Sequence, residues 1–386
     1  MIKVANRLNT VQEYYFSKKL REVRTLLTQG KPIINMGIGS PDLQPPTKVI
    51  EAIQQAVITE GAHKYQSYQG LPEFREAVAD FYKNKYNVEV SSDHEILPLM
   101  GSKEGILHIS MAFLNKGDKV LIPNPGYPTY TSVTNLVEAN PIFYELTSEN
   151  NWEPDFEQLA QEDVSNIKMM WVNYPHMPTG AKSTQKLFEK LIAFGKKHQI
   201  LIINDNPYSF ILNEKPQSLL SIKGAKDVVV ELNSLSKSSN MAGWRVGMLV
   251  GKKDRIEEVL RFKSNMDSGM YLPIQLAAAK ALSLDKDWYD SINFIYKTRR
   301  EKVFELLDLL QCTYSKMHVG MFVWASIPAT YADGFALSDK VLYDANVFIT
   351  PGGIFGTGGN AFIRISLCAP VARFELAIER VKNAGI

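Results

Sequence analysis

The stretch SLSKSSNMAGWRVG, residues 234–247, follows directly on the apolar run DVVVEL at 227–232. A lysine amine at the end of a buried strand can condense with an aldehyde, and neighbouring hydroxyls with an arginine can hold a phosphate. Taken singly, the residues read more plainly: Lys237 as a solvated loop residue, and Asp205 in NDNPY as a turn residue supporting Pro207. Taken together they match a set of chemical demands. Chemistry through an aldehyde on a heteroaromatic ring needs a carboxylate to keep the ring nitrogen protonated and a group bonded to the phenolic oxygen. It needs hydroxyls, backbone amides and an arginine for a phosphate handle, and a second, bidentate arginine for a substrate carboxylate. The sequence offers each of these, in order, where apolar runs end.

Such groups must be carried to one place by the chain. The runs at 119–125, 140–146, 167–175, 199–208, 227–232 and 245–251 are short and apolar and read as strands. Between them, segments such as 184–199 space their apolar residues at helical intervals. Strands alternating with helices predict an α/β fold, with a large domain whose mostly parallel central sheet is flanked by helices. Ligands of such sheets gather at the carboxyl ends of the strands. Beyond about residue 285 a charged helical stretch leads to shorter strand-like runs at 321–327 and 360–367. This predicts a smaller α+β domain built from both chain ends: an N-terminal segment 1–44 packing with it, a large domain 45–284, and a small C-terminal domain 285–386.

Composition narrows the partners. Of 386 residues, 45% are hydrophobic and 22% charged, and the formal net charge is +2 without a long basic block. Nucleic acid and acidic membrane surfaces are poor partners for such a chain. Cys312 and Cys368 form no CxxC pair, and the six histidines lack metal-ligand spacing, so neither a disulfide framework nor a metal site is expected. The glycines of 351–360 do not follow the dinucleotide pattern. No stretch approaches the roughly 18 uncharged apolar residues of a spanning helix, and charges interrupt the first residues throughout, so a cytoplasmic location is expected.

The lysine segment resembles that of fold-type I pyridoxal-phosphate aminotransferases, the class I/II group of the aspartate aminotransferase superfamily. The resemblance runs from INMGIGSPDLQPP near residue 34 to FIRISL near residue 365. It implies pyridoxal 5'-phosphate as cofactor and Lys237 as the Schiff-base lysine and proton shuttle. It implies Ser234, Ser236 and Arg245 as phosphate ligands, with Gly243 letting the backbone turn. Asp205 matches the partner of the pyridine nitrogen, and Tyr208 that of the phenolic oxygen. Gly101, Ser102 and Lys103 match the turn that meets the phosphate at a helix start, and Tyr127 matches the aromatic stacked on the ring. Arg364, assisted by the Gly39 amide, matches the α-carboxylate site. Tyr65 matches a tyrosine reaching the phosphate of a neighbouring subunit, so the implied assembly is a homodimer. One position departs. Where the family usually reads NPTG, residues 176–180 read HMPTG, and Met177 stands in for an asparagine that donates to the phenolic oxygen. A thioether cannot donate; His176 and Asn173 are the candidates to replace it.

The implied activity is ping-pong transamination between an amino acid and a 2-oxo acid, with Lys237, Asp205 and Tyr208 as catalytic residues. A carbon-sulfur β-lyase on the same scaffold would use the same residues and is the nearer alternative. A non-catalytic pyridoxal-phosphate-binding regulator is the remoter one, and no basic helix-turn-helix stretch precedes residue 34. Residues 13–16 and 266–271 are expected to border the substrate side chain.

Overall fold

The computed structural model describes residues 2–386 apart from 12, 14, 162, 163 and 165. In it the Val-, Ile- and Leu-rich runs assemble into one seven-stranded sheet. Its spatial order is Ile96–Leu99, Gly247–Gly251, Val229–Ser234, Leu201–Asp205, Ile167–Val172, Lys119–Asn124 and Asn140–Glu145. Gly247–Gly251 runs antiparallel to both neighbours, and the remaining pairs are parallel. The mostly parallel α/β sheet expected from the sequence is therefore formed, with Ile96–Leu99 as a strand that the sequence reading passes over.

The inner strands are mostly apolar because the sheet is covered on both faces, whereas the edge strand Asn140–Glu145 is partly exposed. Val230 and Leu232 pack with Ile106, Ile109 and Val259, from the helices Ser102–Phe113 and Lys253–Lys263, while Val229 belongs to the layer on the other side. In that second layer lies the helix Gln185–His198. Its start is fixed by Thr184, whose hydroxyl accepts the Leu187 N–H at 3.0 Å. It stops at Gln199, which turns left-handed with φ 56°. The buried Leu187, Phe188, Leu191 and Ile192 hold it down, each contributing roughly 2 kcal/mol. A buried carboxyl is also accommodated in the core. Glu231 accepts hydrogen bonds from Tyr82, Asn204, Ser218 and the Leu219 N–H, which offset its loss of water.

A smaller antiparallel sheet has the order Thr350–Pro351, Phe362–Ser366, Phe322–Ser326 and Thr313–Tyr314. A short parallel pair joins Ile34–Asn35 to Val347–Phe348. Met36 extends this link: its N–H donates to Phe348 O and its carbonyl accepts the Ser366 N–H, both at 2.8 Å. Through this connection the small sheet presents Arg364 to the carboxyl ends of the large sheet.

Candidate active site

Asp205 and Ser234, each the last residue of its strand, and Asn173 just beyond Val172 open on one cavity of about 330 Å³. At one end the helix Ser102–Phe113 starts behind Gly101, whose φ is 91°. A Cβ at Gly101 would strike the Arg245 guanidinium, so only glycine serves there. Lys103 lines the same end, and burial, followed by the Arg245 charge, lowers its pKa. Ser234 caps the short helix Leu235–Ser238, accepting the Ser236 N–H at 3.1 Å with its hydroxyl 2.9 Å from Ser236 Oγ. The turn expected at Gly243 is made elsewhere. Arg245 itself takes φ 57°, whereas Gly243 has no left-handed φ.

Lys237 enters the cavity from the Ser234-capped turn, and its Nζ donates to Gly39 O at 2.6 Å. Burial lowers its pKa; Arg364 and Arg245 act the same way, against Cys368 and Asp205. The neutral, nucleophilic amine is thereby favoured. Asp205 is buried, with Oδ2 accepting the Tyr130 hydroxyl at 2.9 Å and Oδ1 without a protein partner. Burial raises its pKa to about 6, despite the opposing Tyr130 bond and Lys237 charge. An unpartnered carboxylate oxygen calls for a cationic N–H, and the Gly101 cradle calls for a phosphate. Both fit pyridoxal phosphate. Burial also raises the pKa of Tyr208, keeping it a neutral phenol able to donate. Tyr127 lines the cavity edge-on to Tyr130, 5.5 Å between ring centroids, and Tyr130 in turn stacks on Trp171 at 4.8 Å.

At the far end Arg364 is 4% exposed, with Nη2 donating to Gly37 O at 2.9 Å and Nη1 3.3 Å from Met177 Sδ. Of the two candidates to replace the missing amide, Asn173 lines the cavity. Its Oδ1 accepts the Met177 N–H at 2.7 Å and its Nδ2 donates to the Asp205 carbonyl. His176 does not line it; its Nδ1 lies 2.8 Å from Thr179 Oγ1, and burial, then His318, pushes its pKa down to about 3. Tyr65 stands outside the cavity and is 90% exposed. Residues 266–271 also lie away from it, beside residues 63–68: Tyr271 stacks on His63 at 5.9 Å, and a Cβ at Gly269 would strike the Gln66 carbonyl. They do not border the cavity of their own chain, contrary to expectation. Within 13–16, Phe16 does line it, and Tyr14 lies outside the described residues. Tyr130, Phe322 and Phe355 line it without having been singled out from the sequence. Elsewhere Glu104, His108 and Asp267 bring ligand-type atoms within 4.8 Å of one another. The Lys263 ammonium, 2.8 Å from Asp267, opposes a cation there.

The chain matches the family model for aminotransferase class I and II over residues 31–381. It is 36% identical over 385 residues to the LL-diaminopimelate aminotransferase of Aquifex aeolicus (strain VF5), with 99% of each chain covered. To the enzyme of the same name from Nitratidesulfovibrio vulgaris (strain DSM 19637 / Miyazaki F) it is 38% identical over 384 residues, again covering 99% of each. The substrate-bound structure of BacF from Bacillus subtilis superposes with a TM-score of 0.95 at 34% identity, covering 99% of this chain and 98% of that one. These likenesses carry amino transfer and neither β-elimination nor a regulatory role. The chain belongs to the class I and II aminotransferases and is a pyridoxal-phosphate-dependent enzyme of amino transfer.

Proposed function

We propose that Lys237, Asp205 and Tyr208 are the catalytic residues of amino transfer between an amino acid and a 2-oxo acid, and that Arg364 with Gly39 holds the substrate carboxylate. The observation carrying this reading is the meeting in one cavity of a buried amine of lowered pKa, a buried carboxyl with an unpartnered oxygen, and a buried arginine. Pyridoxal phosphate, when bound, supplies an aldehyde that captures the amino group and a ring that absorbs negative charge. Asp205 would hold the ring nitrogen protonated, and Tyr208 would donate to the phenolic oxygen. Tyr127 would lie against the ring. Gly101, Ser102, Lys103, Ser234, Ser236 and Arg245 would hold the phosphate, helped by the amide end of the helix Ser102–Phe113. Lys237 would be the group that moves the proton, its amine taking it from the substrate α-carbon and then giving it up again. Burial and the two arginines bias Lys237 toward the neutral amine that such a transfer needs. Arg364 presents a planar fork that fits a carboxylate with two parallel hydrogen bonds.

The same reading makes the enzyme a homodimer in which Tyr65 completes the phosphate site of the other protomer. Supporting it, Tyr65, Tyr68, Met266 and Tyr271 are 90%, 46%, 49% and 38% exposed on two adjacent stretches, an uncovered apolar face of the kind that marks an interface. It also divides the chain into 1–44, 45–284 and 285–386 and places it in the cytoplasm. Among the described residues no helix is long and apolar enough to cross a membrane. The names of the relatives make LL-diaminopimelate the first donor to test.

Borohydride reduction of the holoenzyme followed by peptide mapping tests the lysine. The label is expected on Lys237, and Lys237→Ala should retain the cofactor non-covalently while losing nearly all turnover. Label on any other lysine refutes the assignment.

A further inference from the structure

The end of the cavity around Arg364 is walled by rings and aliphatic groups. The Arg364 guanidinium carbon lies 3.9 Å from the centroid of Phe322, 4.6 Å from that of Phe355 and 5.6 Å from that of Phe16. Met177 closes a further side, its sulfur 3.3 Å from Nη1. Leu20, from the same helix as Phe16, and Ile38, beside Gly39, complete this wall. None of these six side chains carries a charge. The charged residues lining the cavity, among those described, are Lys103, Asp205, Lys237, Arg245 and Arg364. Lys103 and Arg245 lie at the Gly101 end, Asp205 and Lys237 flank the ring position, and Arg364 is taken by the α-carboxylate. Among the described residues of this protomer, no cation is left for a second carboxylate, and no anion for a second ammonium.

We propose, on the basis of the amino-transfer reading above, that the substrate side chain is a large uncharged apolar group, aromatic or long and unbranched, received by Phe16, Leu20, Ile38, Phe322, Phe355 and Met177. A rigid ring would lie against Phe16 and Phe355, and the flexible Met177 thioether would adapt to its edge. A side chain ending in both an ammonium and a carboxylate, as in LL-diaminopimelate, would lose its water at this wall without gaining partners. This chain would then differ in donor from the LL-diaminopimelate aminotransferases to which it is similar, with the uncharged Met177 thioether as one cause.

The test mixes the holoenzyme with single donors in the absence of oxo acid and follows the cofactor absorbance. Calorimetry with 3-phenylpropionate and with pimelate, neither of which can be transaminated, runs beside it. Phenylalanine is expected to exceed LL-diaminopimelate in the specificity constant of this half-reaction by on the order of 10²-fold, and 3-phenylpropionate to bind more tightly than pimelate. Phe16→Ala should weaken phenylalanine by about tenfold or more and Phe16→Leu by much less. Phe16→Arg should reverse the order of the two inhibitors. LL-diaminopimelate reacting as well as phenylalanine, or pimelate binding as tightly as 3-phenylpropionate, overturns the proposal and places a charged group of the other protomer at the wall. If no donor changes the absorbance while 3-phenylpropionate is still preferred, amino transfer fails and the apolar wall stands.

Discussion

Replacing Asp205 by asparagine keeps the shape of the side chain and an acceptor for the Tyr130 hydroxyl while removing the charge. In the cofactor-free protein, burial raises the Asp205 pKa from its ordinary 3.8 to about 6. The folded state therefore holds one more proton than the unfolded state between these values. Unfolding free energy then falls as pH rises through that window, and above about pH 6 the full penalty is present. A shift of about two units corresponds to roughly 3 kcal/mol at most. Asp205→Asn lacks the penalty, so its apoprotein should be the more stable at pH 7.5 by up to about 3 kcal/mol, and by about half as much at pH 5. Urea denaturation of both apoproteins, followed by tryptophan fluorescence, measures this. Loading with pyridoxal phosphate should reverse the order, because a ring nitrogen cation gives wild-type Asp205 the partner that Oδ1 lacks. The variant should also turn over far more slowly. An apoprotein difference that is the same at both pH values, or a variant less stable than wild type at pH 7.5, would refute the buried-carboxylate argument.

Two further substitutions probe the other end of the cavity. Arg364→Lys should lower kcat/KM for amino-acid donors by about 10²-fold while leaving cofactor affinity within a few-fold, because an ammonium cannot reproduce the bidentate fork; an unchanged kcat/KM would place the carboxylate elsewhere. Met177→Asn returns an amide donor to the cavity and should lower the midpoint of the holoenzyme's visible-absorbance pH titration. One charge-assisted hydrogen bond is worth about 1.5–3 kcal/mol, or on the order of one to two pH units at most. Coincident titration curves would mean that Asn173 or a water already supplies the donor.

Asp205, Ser234 and Lys237 are legible in the sequence because a mostly parallel sheet delivers the carboxyl ends of its strands to one edge, whereas Tyr208 comes from the family resemblance. Polar residues that follow apolar runs then meet whatever the loops do. Tyr130 is not legible. Inside a helix a tyrosine reads as core, and its bond to Asp205 exists only because the sheet sets Ile167–Val172 between Lys119–Asn124 and Leu201–Asp205. Ile96–Leu99 is too short to show a period and contains Pro98, which an edge strand tolerates. Phe322 and Phe355 reach Arg364 from separate elements of the small sheet region, and spacing in sequence carries no trace of that convergence. At Gly243 the reading follows a residue type rather than a backbone angle. The left-handed turn falls on Arg245, whose own Nη1 donates to Ala242 O at 2.8 Å.

The parallel pair between Ile34–Asn35 and Val347–Phe348 has a consequence for the order of synthesis. Gly37 O receives Arg364 Nη2 across 327 residues of sequence, so the carboxylate arm cannot be assembled until nearly the whole chain has left the ribosome. At about 5–20 residues per second the N-terminal segment waits roughly 15–65 s for its partner strand. During that interval the strands between Ile96 and Gly251 have everything they need to pair with one another. The cofactor-facing half of the cavity can therefore exist on the nascent chain before the half that recognises the substrate carboxylate.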